Sequence, residues 1–142
     1  MRIIGGSLKG KNILPPAGYK ARPTTDFARE GLFNVLNNEY EFEDLKVLDL
    51  FGGTGAISFE FASRGASRVY CVEMLRENAS FIKTEAARLG LGNVTMVRDN
   101  VFDFLDVCRE TRVNHQTVEC RLNAEEELAY CVPHPSSSTC EP

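Results

Sequence analysis

The chain has 142 residues, 43% of them hydrophobic, and a net charge of −4 at pH 7. That length and apolar content suit one domain with a real core, and the negative balance excludes a generally basic nucleic-acid binder. No apolar run reaches the ~20 residues of a membrane-spanning helix, and Met1-Arg2-Ile3-Ile4 passes at once into glycine and charge, unlike a signal peptide; a cytoplasmic protein with no membrane partner is expected, its five cysteines reduced.

Met1 to Leu14 reads as a short β-hairpin, with Gly5-Gly6 and Gly10 turning between Ile3-Ile4 and Ile13-Leu14. Residues 1–29 hold Arg2, Lys9, Lys11, Lys20, Arg22 and Arg29 against Asp26 alone, a balance of +5 that leaves −9 for the remainder. A basic arm on an acidic domain is an electrostatic footprint for phosphate, although a merely solvated segment has the same composition. Pro15-Pro16-Ala17-Gly18 breaks the chain. Arg22-Pro23-Thr24-Thr25-Asp26 then opens a helix, capped by Thr or Asp, with Ala28, Leu32, Val35 and Leu36 as its apolar repeat and Asn37-Asn38 at its end.

The run Val47-Leu48-Asp49-Leu50-Phe51-Gly52-Gly53-Thr54-Gly55-Ala56 carries the most information. Its apolar part suits a buried parallel strand. Its glycines permit a tight turn and close approach of backbone to a ligand, and the helix that follows, from about Ala56 to Ser63 with Gly65 as stop, aims free N–H groups at that ligand. A P-loop needs a Lys after the glycines, and none is present. A dinucleotide loop needs a third Gly, where this chain has Ser58. What remains is D-x-F-x-G-x-G, filled by Asp49, Phe51, Gly53 and Gly55. It resembles motif I of S-adenosylmethionine (SAM)-dependent methyltransferases, whose ligand has no pyrophosphate and carries positive groups that suit an acid at the strand end. A packed strand followed by a ligand-free glycine turn is the plain alternative.

Arg68-Val69-Tyr70-Cys71-Val72-Glu73 is the next strand. An acid roughly 20 residues past a glycine loop can accept from ribose hydroxyls, and Glu73 holds that place. Cys71 reads as a small core residue. Ala79, Ile82, Ala86 and Leu89 make one helical face ended by Gly90, and Val94-Thr95-Met96-Val97 forms a third strand. Asp99-Asn100 closes it, either beside an adenine or as the cap of a short helix near Val101–Val107. The β-α-β-α-β-α order predicts a parallel α/β sheet with right-handed crossovers.

From Thr111 onward neither periodicity holds, so residues 1–110 are read as the domain and 111–142 as a divergent, disordered tail. His115, Cys120, Cys131, His134 and Cys140 lie in that tail, but Cys131-x-x-His134 has no second ligand pair at zinc spacing, and no metal is expected.

Two blocks give the chain a family resemblance. The first is Met1-Arg2-Ile3-Ile4-Gly5-Gly6 with Lys9-Gly10, Arg22-Pro23-Thr24-Thr25-Asp26, Arg29-Glu30 and Leu32-Phe33-Asn34. The second is Leu48-Asp49-Leu50-Phe51-Gly52-Gly53-Thr54-Gly55-Ala56 with Ser63-Arg64-Gly65-Ala66 and Glu73. Together they resemble the bacterial methyltransferases that modify a guanine exocyclic amine of 16S ribosomal RNA, over about residues 1–110. The resemblance implies a Rossmann-like SAM-dependent methyltransferase fold, here with strands one to three, and an N-terminal β-hairpin that helps hold RNA through Arg2, Lys9, Lys11 and Arg22. It places Asp49, Gly53 and Gly55 at the methionine end of SAM, Glu73 at the ribose, Asn100 beside the adenine, and Thr25 and Arg29 at the methionine carboxylate. The partner would be small-subunit ribosomal RNA or an assembling subunit. The family usually has Ala where this chain has Gly52, a change expected to be small.

The same family holds the splayed acceptor base with a [DN]-P-P-[FY] motif after the fourth strand. Its polar group orients the amine, and its ring stacks on the base. Here the lone Pro-Pro is Leu14-Pro15-Pro16-Ala17, with neither a polar group nor a ring. The expectation is an inactive chain with a frameshifted or mispredicted end. The alternatives are a non-catalytic SAM- or RNA-binding fragment, or a DNA or other amine methyltransferase.

Overall fold

The computed structural model describes residues 1–20 and 22–112. The element order is α1 (Asp26–Glu39), a 3-10 turn (Phe42–Asp44), β1 (Lys46–Leu50), α2 (Ala56–Ser63), β2 (Arg68–Val72), α3 (Arg76–Arg88), β3 (Val94–Val97) and α4 (Val101–Arg112). The described strands form one parallel sheet in the order β1-β2-β3. Lys46 stands opposite Arg68 and Leu50 opposite Val72, while Val69 stands opposite Val94.

Alternation along the strands sorts the core into two layers. Val47, Val69 and Cys71 face one side, packed with Phe59, Phe61, Ile82 and Ala86 from α2 and α3. Leu48, Tyr70 and Val72 face the other and meet Val101 and Phe104 of α4. Right-handed crossovers that step from β1 to β3 keep α2 and α3 on one face. The C-terminal ends of the strands therefore share one edge of the sheet, and the glycine loop, Glu73 and Asn100 all fall on it.

The hairpin forms in reduced extent. A single antiparallel bridge joins Arg2 and Asn12, flanked by Ile3 N–H to Lys11 C=O (2.9 Å) and Ile13 N–H to Met1 C=O (2.9 Å). Its tip is docked on α2. Ser7 N–H donates to the Ser63 carbonyl (2.8 Å), Leu8 N–H to Ser63 Oγ (3.0 Å) and Ser63 Oγ to the Gly5 carbonyl (2.6 Å). Gly6 sits at φ +78°, where a Cβ would lie 2.0 Å from the Ser63 carbonyl oxygen. Only glycine permits that approach.

Helix α1 corrects the periodicity reading. Its buried residues are Arg29, Phe33 and Leu36, whereas Leu32 and Val35 are 44% and 57% exposed and Ala28 is exposed. The apolar count missed this face because a charged residue, Arg29, leads it. Phe33 anchors it by meeting Phe61 edge-on at 4.7 Å and Phe42 at 6.0 Å. Helix α4 also runs longer than expected, to Arg112. The remaining tail, with its His and Cys residues, lies outside the described residues.

Candidate functional site

The glycine loop is held as a rigid turn. Gly52 N–H donates to the Val72 carbonyl (3.0 Å) and Gly55 N–H to the Gly52 carbonyl (2.8 Å). Phe51, Gly53 and Gly55 all have positive φ, at 60°, 59° and 78°. A Cβ at Gly55 would lie 2.8 Å from the Phe59 ring, so that position requires glycine on two counts. Phe51 is the one non-glycine residue with positive φ among those described. Such a conformation costs on the order of 1–3 kcal/mol and holds the ring out at the rim, 6.1 Å from Phe102, both rings being largely exposed.

Glu73 closes the loop from the end of β2. Its Oε2 accepts from Gly53 N–H at 2.7 Å and its Oε1 from Leu75 N–H at 3.1 Å. Each bond uses one lone pair, so both oxygens keep acceptor capacity. Asn100 follows β3, just before α4, on the same edge. Its Oδ1 accepts from Phe102 N–H (2.9 Å) and Asp103 N–H (3.3 Å), capping α4, and its Nδ2 lies 3.5 Å from Met74 Sδ. The cap alternative is thus observed, and the Nδ2 group still points toward the residue after Glu73.

Asp49 is buried beneath the loop and accepts from Ser58 Oγ at 2.6 Å. Burial pushes its carboxyl up to about 6, the Ser58 hydrogen bonds pull it down, and the Glu73 charge adds to the rise. Burial likewise raises the Cys71 thiol, which faces the same spot. A Cβ at Gly52 would lie 2.3 Å from Cys71 Sγ, so glycine at the loop start is matched to a sulfur below it.

Two further expected residues take partners on α1 and α2. Thr25 caps α1, accepting from Ala28 N–H at 3.1 Å. Arg29 is 1% exposed, and its guanidinium is spent on Asp26, on Glu60 (3.1 Å) and on the Thr24 carbonyl (3.4 Å). All three of its nitrogens are engaged there, and the fully buried Glu60 takes the charge. Glu60 also accepts from Ile4 N–H, Gly5 N–H (2.8 Å) and Arg64 (3.0 Å). A lone Glu within a short helix gave no sequence signal for this.

Tyr19 was also missed. Its hydroxyl donates to the Gly53 carbonyl at 2.6 Å, and its ring meets Phe81 of α3 at 5.4 Å. Of the basic residues, Arg2 lies 3.5 Å from Asp26. Arg2 and Lys9 line a cleft of about 270 Å³ with Asp26 and Glu30. Lys11 and Arg22 are exposed. No group of acids, His and Cys suited to a metal occurs among the described residues, and no described helix is long and apolar enough to cross a membrane.

A parallel α/β sheet with a glycine turn after β1 and an acid ending β2 is a Rossmann-like fold built to take a nucleotide-type ligand at the C-terminal edge of its strands, and its solved structural relatives include methyltransferases. Comparison with known proteins agrees. The family described as conserved hypothetical protein 95 matches residues 1–117. Ribosomal RNA small subunit methyltransferase D of Escherichia coli K12 is 38% identical over 105 residues, which is 74% of this chain and 52% of that protein. The solved structure of Escherichia coli yhhF, designated a methyltransferase, is 36% identical with a TM-score of 0.66, over 74% of this chain and 55% of that one. A hypothetical protein of Thermus thermophilus is 33% identical with a TM-score of 0.70, over 79% of this chain and 63% of that one. The chain belongs to the family described as conserved hypothetical protein 95, and small-subunit ribosomal RNA methyltransferase D is among its similar curated proteins. It spans about half the length of the curated relatives it matches.

Proposed function

We propose that this chain carries the methyl-donor half of a SAM-dependent ribosomal RNA methyltransferase whose acceptor is a guanine exocyclic amine of the small-subunit RNA. The observation that carries the reading is the convergence of Gly53, Gly55 and Glu73 on one edge of the sheet, with Glu73 bonded to the Gly53 amide. Gly55 stands at the start of α2 with no side-chain cap, and of the first turn's N–H groups that of Ser58 is turned to Asp49, so those of Ala56 and Ile57 are the ones that would meet a ligand.

In this reading Gly53, Gly55 and Asp49 hold the methionine end, with Thr25 near its carboxylate. Glu73 takes the ribose hydroxyls on its remaining lone pairs, and Asn100 sits beside the adenine. SAM supplies an electrophilic methyl on sulfur. The protein's part is positioning, with no covalent enzyme intermediate. Arg2, Lys9, Lys11 and Arg22 contact RNA phosphates, and the hairpin that carries three of them is braced on α2 through Glu60 and Ser63. The partner is small-subunit ribosomal RNA, free or in an assembling subunit.

The relatives named as ribosomal RNA methyltransferases support the substrate class. The 142 residues contain no [DN]-P-P-[FY] sequence, which favours a donor-binding chain without turnover. Calorimetric titration with SAM, paired with transfer from labelled SAM to small-subunit RNA, tests both halves. Binding without transfer is the expected result. No heat with SAM would sink the donor reading, and robust transfer would sink the inactivity.

A further inference from the structure

Gly53 is a loop residue held by side chains on both its N–H and its C=O. Glu73 takes its N–H at 2.7 Å, and the Tyr19 hydroxyl donates to its C=O at 2.6 Å. The two contacts come from segments 20 and 34 residues away along the chain. Gly53 has φ +59°, and glycine loses the most conformational freedom of any residue when it is fixed. Without the Tyr19 bond the peptide that follows Gly53 would rotate readily, and the Gly53 carbonyl would swing with it.

Tyr19 is built to prevent that. Gly18 turns the strap at φ +84°, and Tyr19 N–H closes the turn on the Pro16 carbonyl at 3.1 Å. The ring then rests tilted against Phe81 of α3. Partial burial, with the Glu73 charge nearby, raises the phenol to about 12, so it stays protonated, and a donor, throughout the ordinary pH range. A carbonyl oxygen has two lone pairs. With one taken by Tyr19 the other remains to accept from a ligand, and its direction is set.

We propose that Tyr19 is a positioning residue of the donor site, orienting the Gly53 carbonyl to accept from the ammonium of the ligand's amino-acid end. The proposal rests on the donor reading above. It predicts an effect confined to ligands that carry that end. The test is calorimetric titration of the full chain and of Tyr19→Phe with two probes. S-adenosylhomocysteine has the amino-acid end, and 5′-methylthioadenosine lacks it. Tyr19→Phe keeps the ring on Phe81 and removes only the hydroxyl, and melting curves check that the fold is intact.

The expected result is a five- to tenfold weaker S-adenosylhomocysteine affinity in Tyr19→Phe, with methylthioadenosine affinity unchanged within twofold. Equal weakening of both probes would mean general loosening of the strap and would overturn the proposal. Unchanged affinity for both would overturn it as well. Failure of the unaltered chain to bind either probe would instead remove the donor reading on which the proposal stands.

Discussion

Arg29 of α1 donates to Glu60 of α2 at 3.1 Å, with both side chains at or below 1% exposure. The pair is more than a bridge between helices. Glu60 also takes the Ile4 and Gly5 amides of the hairpin and the Arg64 guanidinium. One buried carboxylate therefore fixes the basic N-terminal segment to the helix that follows the glycine loop. Arg64 in turn lies 4.7 Å from the centre of the Phe33 ring, tying the charged hub to the aromatic cluster.

Glu60→Gln should be strongly destabilising. Removing the Glu60 charge leaves the buried Arg29 only the half-exposed Asp26 as a counter-charge, at a cost of up to about 3–5 kcal/mol. Urea denaturation measures it, and limited proteolysis should show the Gly5–Leu8 tip newly cut. A loss below about 1 kcal/mol would show that Glu60 is not the hub.

Gly52→Ala should destabilise by about 1–3 kcal/mol through overpacking, because the new methyl meets Cys71 Sγ. Adding Cys71→Ala should recover most of what Gly52→Ala loses in that background. A double-mutant cycle reads the coupling, and additive losses would refute the steric match.

The Asp49 carboxyl has its pKa raised from 3.8 to about 6, first by burial. An acid with a raised folded-state value binds more protons folded than unfolded between those two values. Stability should therefore fall as pH rises from about 4 to about 6, and the penalty is complete above that. The Asp49-dependent part is about 3 kcal/mol at most. Melting curves of the unaltered chain and Asp49→Asn across pH 4–8 should differ in slope within that window and run parallel above it. Identical slopes would refute the assignment.

Asn100 should separate into two roles. Asn100→Ala removes the α4 cap and should cost about 1 kcal/mol. Asn100→Asp keeps an oxygen for the cap but loses Nδ2, so stability should hold while SAM affinity falls severalfold. If SAM affinity is unchanged in Asn100→Asp, the adenine role is wrong and the cap is the whole function.

Strand–loop–helix order, the bounds of α2 and β3, and the glycine stops were legible because each is a local property. Apolar runs bury as strands, and Gly65 and Gly90 adopt positive φ at helix ends. The candidate site was legible where a residue's place along the chain sets its place in space. Asp49 at a strand, Gly53 and Gly55 in its turn, and Glu73 at the next strand's end meet for that reason. The buried face of α1 was not legible. Ala28, Leu32 and Val35 looked like a core stripe, yet Arg29 and Phe33 are buried in their place.

Local pattern by itself determined the fold class, the loop after β1 and the acid after β2, since backbone freedom and hydrophobic period are written residue by residue. Tertiary structure alone decided which partners the buried polar groups take. It put Glu60 under the hairpin, Ser58 on Asp49, Tyr19 on Gly53 and Cys71 beneath Gly52. A buried donor or acceptor must find a partner, but nothing in its neighbours along the chain says which distant segment will supply it.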